Sequence, residues 1–345
     1  MQLPAHTNPS PCPGAGIPDG FPQGGIGAFK LIDNELRRVK NLIDRQLTSS
    51  NKSVRQIFRT SRVCSGKMLR PGLVLLAGRC FGRITDKHIR IAAVVEMIHN
   101  ATLLHDDVID EGQKRRGLPT VNNLRGNESA ILLGDYLLGR VFKMCIDLEP
   151  EIIRIIAATT MRICEGELSQ ITERQNWQLS EPEYISIITE KTAALFSSSC
   201  SLGASLAGAD EKQIQSLADF GRNFGIAFQI TDDLNDIIGE ESKAGKTLGS
   251  DASKNKLTLP MIHLLGVEDE EKRDIVKSRL SSAAASISQR ARIVRMLMSK
   301  GSLEYAYRRA QEFVTKAIKS LDGLKKGDAK DALIEVAKFI SIRVV

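Results

Sequence analysis

Aromatic residues make up only 5% of the 345-residue chain, with one tryptophan and four tyrosines. No aromatics interleave with basic clusters, which argues against single-stranded nucleic acid as a partner. The net charge of +7 is therefore read as a solvated basic surface. The six cysteines (Cys12, Cys64, Cys80, Cys145, Cys164 and Cys200) include no CxxC pair and have no histidine at zinc spacing. They fit free thiols in a reducing compartment. The N-terminus lacks the charged-then-apolar pattern of a secretory signal. No apolar run approaches the ~20 residues that span a bilayer. A cytoplasmic location is expected. Asn-Gly or Asp-Gly turns between alternating segments are also missing, so strand signals are weak.

What is present is ordinary in bulk: 42% hydrophobic and 26% charged residues, enough for a large soluble core. Residues 1–27 are rich in proline and glycine and read as a flexible tail. From Phe29 onward the sequence is nearly continuous helical material, placing a single domain over 28–345. Leu31, Leu36, Val39 and Leu42-Ile43 fall at amphipathic intervals. Breaks are expected at Ser65-Gly66, Gly117-Leu118-Pro119, Ser180-Glu181-Pro182, Gly208 and Gly239, with a longer polar segment to Asn255. The fold class is all-α, a bundle of about ten or more helices. Two helices stand out. Ile89 to Asp110 is apolar around its circumference, and Leu217 to Ile238 carries Phe220, Phe224 and Phe228 as an inward stripe.

Each of these helices ends in the same acidic pattern: Asp106-Asp107-Val108-Ile109-Asp110 and Asp232-Asp233-Leu234-Asn235-Asp236. Carboxylates at i and i+4 project from one helix face. At a helix C-terminus they oppose the dipole, a cost that bound cations relieve. Oxygen-only donors suit a hard divalent ion, and Mg²⁺ usually completes its shell with water and substrate phosphate. One such cluster would pass for an acidic helix end; two point to a phosphorylated substrate held through metal. A di-iron carboxylate site fails on ligand count: Glu96-Met97-Ile98-His99 has the right spelling, but no other histidine has a glutamate three residues before it.

Basic residues surround these clusters. Lys67 and Arg70 precede an apolar helix over Gly72–Arg79 with Pro71 at its first position, so a helix N-terminus and two cations form an anion site. Arg115-Arg116 follows the first cluster, and paired arginines grip phosphate oxygens. A segment with Lys246, Asn255 and Lys256 follows the second and reads as a lid. Lys191-Thr192 interrupts an apolar helix. His99 and His105 also suit ordinary core packing.

The stretch from Glu96 to Asp110, with Arg115-Arg116-Gly117 and Pro119-Thr120-Val121-Asn122, resembles the first aspartate-rich region of trans-isoprenyl diphosphate synthases. Gly225 to Asp236 resembles the second. Gly66-Lys67 with Arg70-Pro71, Gly166-Glu167, Lys191-Thr192-Ala193 and Lys256 to Pro260 fall in family order, over about residues 29–345. Asn255 departs from the pattern, since many members have glycine there. The resemblance implies the type I isoprenoid synthase fold around a central cavity and a homodimer. The implied reaction is condensation of an allylic diphosphate with isopentenyl diphosphate, with three Mg²⁺ per active site when substrate is bound. It assigns Asp106, Asp110 and Asp232 to metal, with Asp107, Asp233 and Asp236 supporting. Arg115, Lys191, Lys246 and Lys256 would hold the allylic diphosphate, and Lys67, Arg70, His99 and Arg116 the isopentenyl partner. Lys191, Thr192 and Gln229 would stabilise the allylic cation. Ala101 and Thr102 stand where short-chain members carry bulky aromatics, which implies a hepta- to decaprenyl product of the kind used for quinone side chains, and peripheral membrane association through it. The alternatives are a class I terpene cyclase and a subunit of a heteromeric prenyl synthase. The first usually carries an Asn/Ser/Glu-type second motif, and non-catalytic subunits typically lose motif aspartates; all six are kept here.

Overall fold

Helix follows helix through the chain, because apolar side chains return every three or four positions with almost no strict alternation to compete. The computed structural model describes residues 27–61, 66–115, 117–238, 256–281 and 287–341. Residues 1–26 of the proline- and glycine-rich tail, Arg116, and the expected lid segment with Lys246 and Asn255 lie outside the described residues. A 3₁₀ turn at Gly27–Ile32 leads into α1 (Asp33–Gln46), α2 (Lys52–Ser61), α3 (Leu69–Arg79) and α4 (Asp86–Ile109). A small antiparallel hairpin, β1 (Lys114–Arg115) and β2 (Leu118–Pro119), turns at Gly117, whose φ of 75° suits glycine. Then come α5 (Val121–Arg125), α6 (Asn127–Cys145), α7 (Pro150–Thr172) and α8 (Glu181–Ile188). A π-helical turn, Thr189–Ala193, joins α8 to α9 (Ala194–Leu206), and α10 (Glu211–Ile238) follows. The chain closes with α11 (Leu259–Val267), α12 (Glu270–Ser281), α13 (Ile287–Ser299), α14 (Ser302–Ser320) and α15 (Asp328–Ser341). The all-α expectation holds, with the hairpin as the exception among the described residues. None of the described helices is long and apolar enough to cross a membrane.

The centre is made of helices buried on every side. Leu73 to Ala77 of α3 are fully inaccessible, and every residue from Ile91 to Ile98 of α4 is at most 2% exposed. An apolar circumference leaves a helix no solvent face, so others must wrap it. Helix α3 lies between α4 and α9, α4 packs on α1 and α6, and α10 lies between α9 and α14. The predicted stripe is present. Phe220 and Phe224 are fully buried, and Phe196 of α9 meets Phe224 edge-on at a centroid distance of 5.1 Å and Phe228 at 5.3 Å. Small residues bring the backbones together: a Cβ at Gly221 would stand 2.4 Å from the Phe196 carbonyl oxygen.

Three helix starts differ from the sequence reading, α10 among them, since it begins at Glu211, six residues before Leu217. Helix α3 starts at Leu69 rather than Gly72, with Gly72 N donating to Met68 O at 2.8 Å. Pro71 is thus third in the helix, not first. It is tolerated because the amides of the first turn have no intrahelical acceptor anyway. Helix α4 starts at Asp86, three residues early, because Thr85 N donates to Nδ1 of the buried His88. His88 Nε2 in turn lies 3.2 Å from Gly203 O of α9, and burial pulls its pKa down, consistent with a neutral ring. Truncating the centre of the aromatic stripe with Phe224→Ala is expected to cost about 3–5 kcal/mol of stability, read from the midpoint and slope of urea unfolding.

Candidate active site

Both aspartate clusters lie at the C-terminal ends of buried helices, α4 and α10. In the first, each carboxylate has a different neighbour. Asp107 is buried and takes a forked pair from Arg115, Nε at 2.9 Å and Nη2 at 2.8 Å. The Asp107 backbone carbonyl accepts from Gly112 N and from Asn122 Nδ2, which ties the hairpin to the helix end. Asp110 pairs with Arg174 at 3.1 Å, a cation just beyond α7. Asp106 makes no side-chain hydrogen bond or ion pair among the described residues. Its carboxyl is pushed up to about 6, first by burial, with Glu167 and Asp110 adding and Lys191 and Arg115 opposing.

The π turn joins this cluster to the second. A Cβ at Gly166 of α7 would stand 2.3 Å from Lys191 N, and one at Gly225 of α10 would stand 2.5 Å from Ala193 Cα. Glycine on both flanks lets two helices clamp the wider backbone of a π turn, an irregularity common at functional sites. Glu190 is held by a forked pair from Arg162. Lys191 is then directed toward α7, pairing with Glu167 and donating to Gln170 Oε1 at 2.7 Å, close enough to act on Asp106. Thr192 is directed the other way and donates to Gln229 Oε1 at 2.7 Å. Adjacent residues therefore serve the two acidic walls.

The second cluster is more buried than the first. Asp232 is half-buried, whereas Asp233 and Asp236 are within the core. Asp233 accepts from Gln229 Nε2 at 2.7 Å and from the Tyr184 hydroxyl at 2.7 Å. A ladder of Thr192, Gln229, Asp233 and Tyr184 results.

The remaining predicted residues distribute as follows. Arg70 is buried in the first turn of α3, its guanidinium 4.2 Å from the Phe196 ring centroid and its Nε without a hydrogen-bond partner. Burial pulls its pKa down to about 10, against the opposing effect of Glu96. Lys67 is exposed just before α3, His99 is half-buried on α4, and Lys256 is half-buried just before α11. His105 packs outward on α6: its Nε2 lies 3.2 Å from Ile131 O, and a Cβ at Gly134 would strike its ring. Ala101 is 1% exposed; Thr102 is half-buried one turn before Asp106. Sequence reasoning gave no role to Arg174, Arg162, Gln170 or Tyr184, whose partners are distant in the chain. For Tyr184 there was one local clue: Ser180 and Glu183 exchange capping bonds, which marks the start of its helix.

No three acidic, histidine or cysteine side chains converge on one point among the described residues. Asp106, Asp110 and Asp232 therefore form no ready-made cage. The donor set fits a different mode: an all-oxygen wall with one uncommitted, partly desolvated carboxylate matches an ion that takes one or two carboxylates and completes its octahedron with phosphate and water.

Known proteins similar to this chain share its family and fold. Residues 51–297 match the family model for polyprenyl synthetase. The chain is 36% identical over 281 residues to the all-trans-nonaprenyl-diphosphate synthase (geranyl-diphosphate specific) of Rhodobacter capsulatus, covering 81% of this chain and 86% of that one. It is 32% identical over 315 residues to the short chain isoprenyl diphosphate synthase of Methanothermobacter thermautotrophicus, covering 88% and 96%. A crystal structure of a Caulobacter crescentus polyprenyl synthase, complexed with calcium and isoprenyl diphosphate, superposes with a TM-score of 0.86 at 30% identity, covering 91% of this chain and 96% of that one.

The raised pKa of Asp106 fixes the sign of a pH effect. A carboxyl that ionises later in the folded state contributes stability at low pH and loses it as the pH rises through about 6. Without divalent cations, Asp106→Asn is expected to melt higher than wild type at pH 7.5 and equally at pH 4. Thermal unfolding at the two pH values checks this.

Proposed function

The chain belongs to the polyprenyl synthetase family, and on that footing we propose that it condenses an allylic diphosphate with successive isopentenyl diphosphates, head to tail, to a long all-trans polyprenyl diphosphate. The observation that carries the reading is the π turn, which serves one aspartate wall with Lys191 and the other with Thr192. Asp106, Asp110 and Asp232 would hold Mg²⁺. When bound, magnesium neutralises the charge that grows on the leaving diphosphate. Asp107 acts at one remove, by orienting Arg115 at the rim of the site. Lys191, Arg115, Lys246 and Lys256 supply further positive charge to the diphosphate, and Arg174 stands beside Asp110 as an additional cation.

The carbon–oxygen bond of the allylic diphosphate breaks, and the electron pair leaves with the diphosphate. The cation left behind would face oxygen lone pairs of Thr192 and Gln229. The isopentenyl double bond, positioned by Lys67, Arg70, His99 and Arg116, attacks it and forms the new carbon–carbon bond. The proton released goes to the departing diphosphate, so no protein base is required. Family membership replaces the cyclase alternative.

Overall likeness does not fix product length, since one relative named above is a nonaprenyl and another a short chain synthase. The local argument is steric. Side chains on a helix lean toward its N-terminus, so Thr102, one turn before Asp106, stands where a growing tail passes, with Ala101 beside it. Neither is bulky enough to stop the chain, which supports a product in the hepta- to decaprenyl range. A homodimer is supported by the outer faces of α6 and α7. Leu132 and Phe142 on α6, Ile146 just past its end, and Met161 and Leu168 on α7 are exposed apolar residues. An apolar stripe of this kind is what a second copy would cover.

The test is the purified chain with Mg²⁺, farnesyl diphosphate and isopentenyl diphosphate. Linear prenyl diphosphates are expected; no turnover would sink the reading of a self-sufficient enzyme and favour a heteromeric subunit. Asp106→Ala is expected to lower kcat by at least about 100-fold. Thr102→Phe and Ala101→Phe are expected to shorten the product by at least one isoprene unit on chromatography, and light scattering checks the dimer.

A further inference from the structure

The geometry points to Tyr184 as a positioning residue that fixes which way the Gln229 amide faces. This deepens the reading of the site given above and rests on it. Tyr184 is 2% exposed on α8, and its hydroxyl donates to Asp233 Oδ2 at 2.7 Å. The other oxygen, Oδ1, accepts from Gln229 Nε2 at 2.7 Å. Gln229 Oε1 then accepts from the Thr192 hydroxyl, also at 2.7 Å.

The logic lies in donor and acceptor inventory. A carboxylate only accepts, whereas an amide has a donating end and an accepting end. With Asp233 held in place, the NH₂ of Gln229 must face it, and the carbonyl oxygen must face Thr192. That orientation turns lone pairs, rather than N–H dipoles, toward the carbon that becomes positive. A flipped amide would present hydrogens to the cation and raise its energy. Tyr184 anchors the carboxylate that makes the flip unfavourable. Its helix is itself fixed, through the Ser180 and Glu183 capping bonds and through Glu181, which takes a bond from Arg309 of α14 at 2.7 Å. In a buried network of this kind each bond supports the next.

Tyr184→Phe keeps the ring and removes one bond to a charged group. A loss of kcat of about 10- to 100-fold is expected, with KM for both diphosphates nearly unchanged. Two measurements separate orientation from general structure. The first is equilibrium binding, by calorimetry with pyrophosphate present, of an allylic analogue with a protonated amine at the reacting carbon, beside a neutral thiolo analogue. The variant should bind the cationic analogue about tenfold more weakly and the neutral one as wild type does. The second is a double-mutant cycle: in a Gln229→Met background, Tyr184→Phe should cost little more in kcat, because there is no amide left to orient. Equal losses for the two analogues, or additive losses in the cycle, would overturn the proposal. A wild-type chain that forms no prenyl product counts instead against the condensation reading, and the analogue contrast then still decides the role of Tyr184.

Discussion

Every feature of the site answers to one cost, that of keeping carboxylates inside an apolar bundle. A buried charge without a partner is among the most unfavourable things a fold can hold. Here Asp107, Asp233 and Asp236 are each less than a tenth exposed, and Asp106 is desolvated enough to resist ionisation. The fold meets the cost unevenly. Among the described residues, Asp107 has a forked arginine, Asp110 pairs with Arg174, and Asp233 accepts from the neutral donors Tyr184 and Gln229. Asp106 has no hydrogen bond or ion pair of its own among the described residues, and the fields of Lys191 and Arg115 only partly offset its burial, which is the arrangement expected where a cation arrives with its substrate.

The π turn converts that distribution into a site. An α-helical turn would advance adjacent side chains by about 100° at regular spacing, and the wider π turn departs from it. Gly166 and Gly225 remove the two Cβ atoms that would collide with the widened backbone. Lys191 and Thr192 then serve opposite walls, and the Arg162–Glu190 pair holds the turn from outside. Two glycines far apart in the chain thus act as one device.

Much of this was legible in the sequence because it is periodic or chemically loud. The aspartate pairs, the inward phenylalanine stripe, and Lys191-Thr192 in an apolar stretch are local signals, and the structure brings Thr192 and Gln229 together. The supporting residues were not legible, because Tyr184 lies 49 positions from Asp233 and Arg174 lies 64 from Asp110, with no short-range pattern linking either pair. Arg115 was assigned to substrate from its place after the cluster; its geometry shows it also buckling Asp107. Pro71 misled the start of α3, since a proline in a first turn can occupy more than one position. His105 reads like a site residue by adjacency to Asp106, yet one helical step of about 100° turns it onto α6.

The order of side chains along α4 and α10 suits the proposed chemistry, which must deal with both a diphosphate and a hydrocarbon. From the helix ends inward, each runs from carboxylate to neutral oxygen to apolar: Asp110 and Asp106, then Thr102, then Ile98 on α4; Asp236 and Asp232, then Gln229, then Phe228 and Phe224 on α10. The neutral middle step matters most. A carboxylate at the reacting carbon would capture an allylic cation as an ester, and an alkyl lining would leave the cation unstabilised. Hydroxyl and amide oxygens attract positive charge through their dipoles while remaining poor nucleophiles. On the proposed reading the charged zone would grip the diphosphate, while Ile98 and Phe224, at most 1% exposed, are packed core behind it. On α4 the steps come about one turn apart, Asp106 to Thr102 to Ile98, whereas on α10 Gln229 stands three residues before Asp232 and directly after Phe228, so the neutral and apolar steps there share one turn.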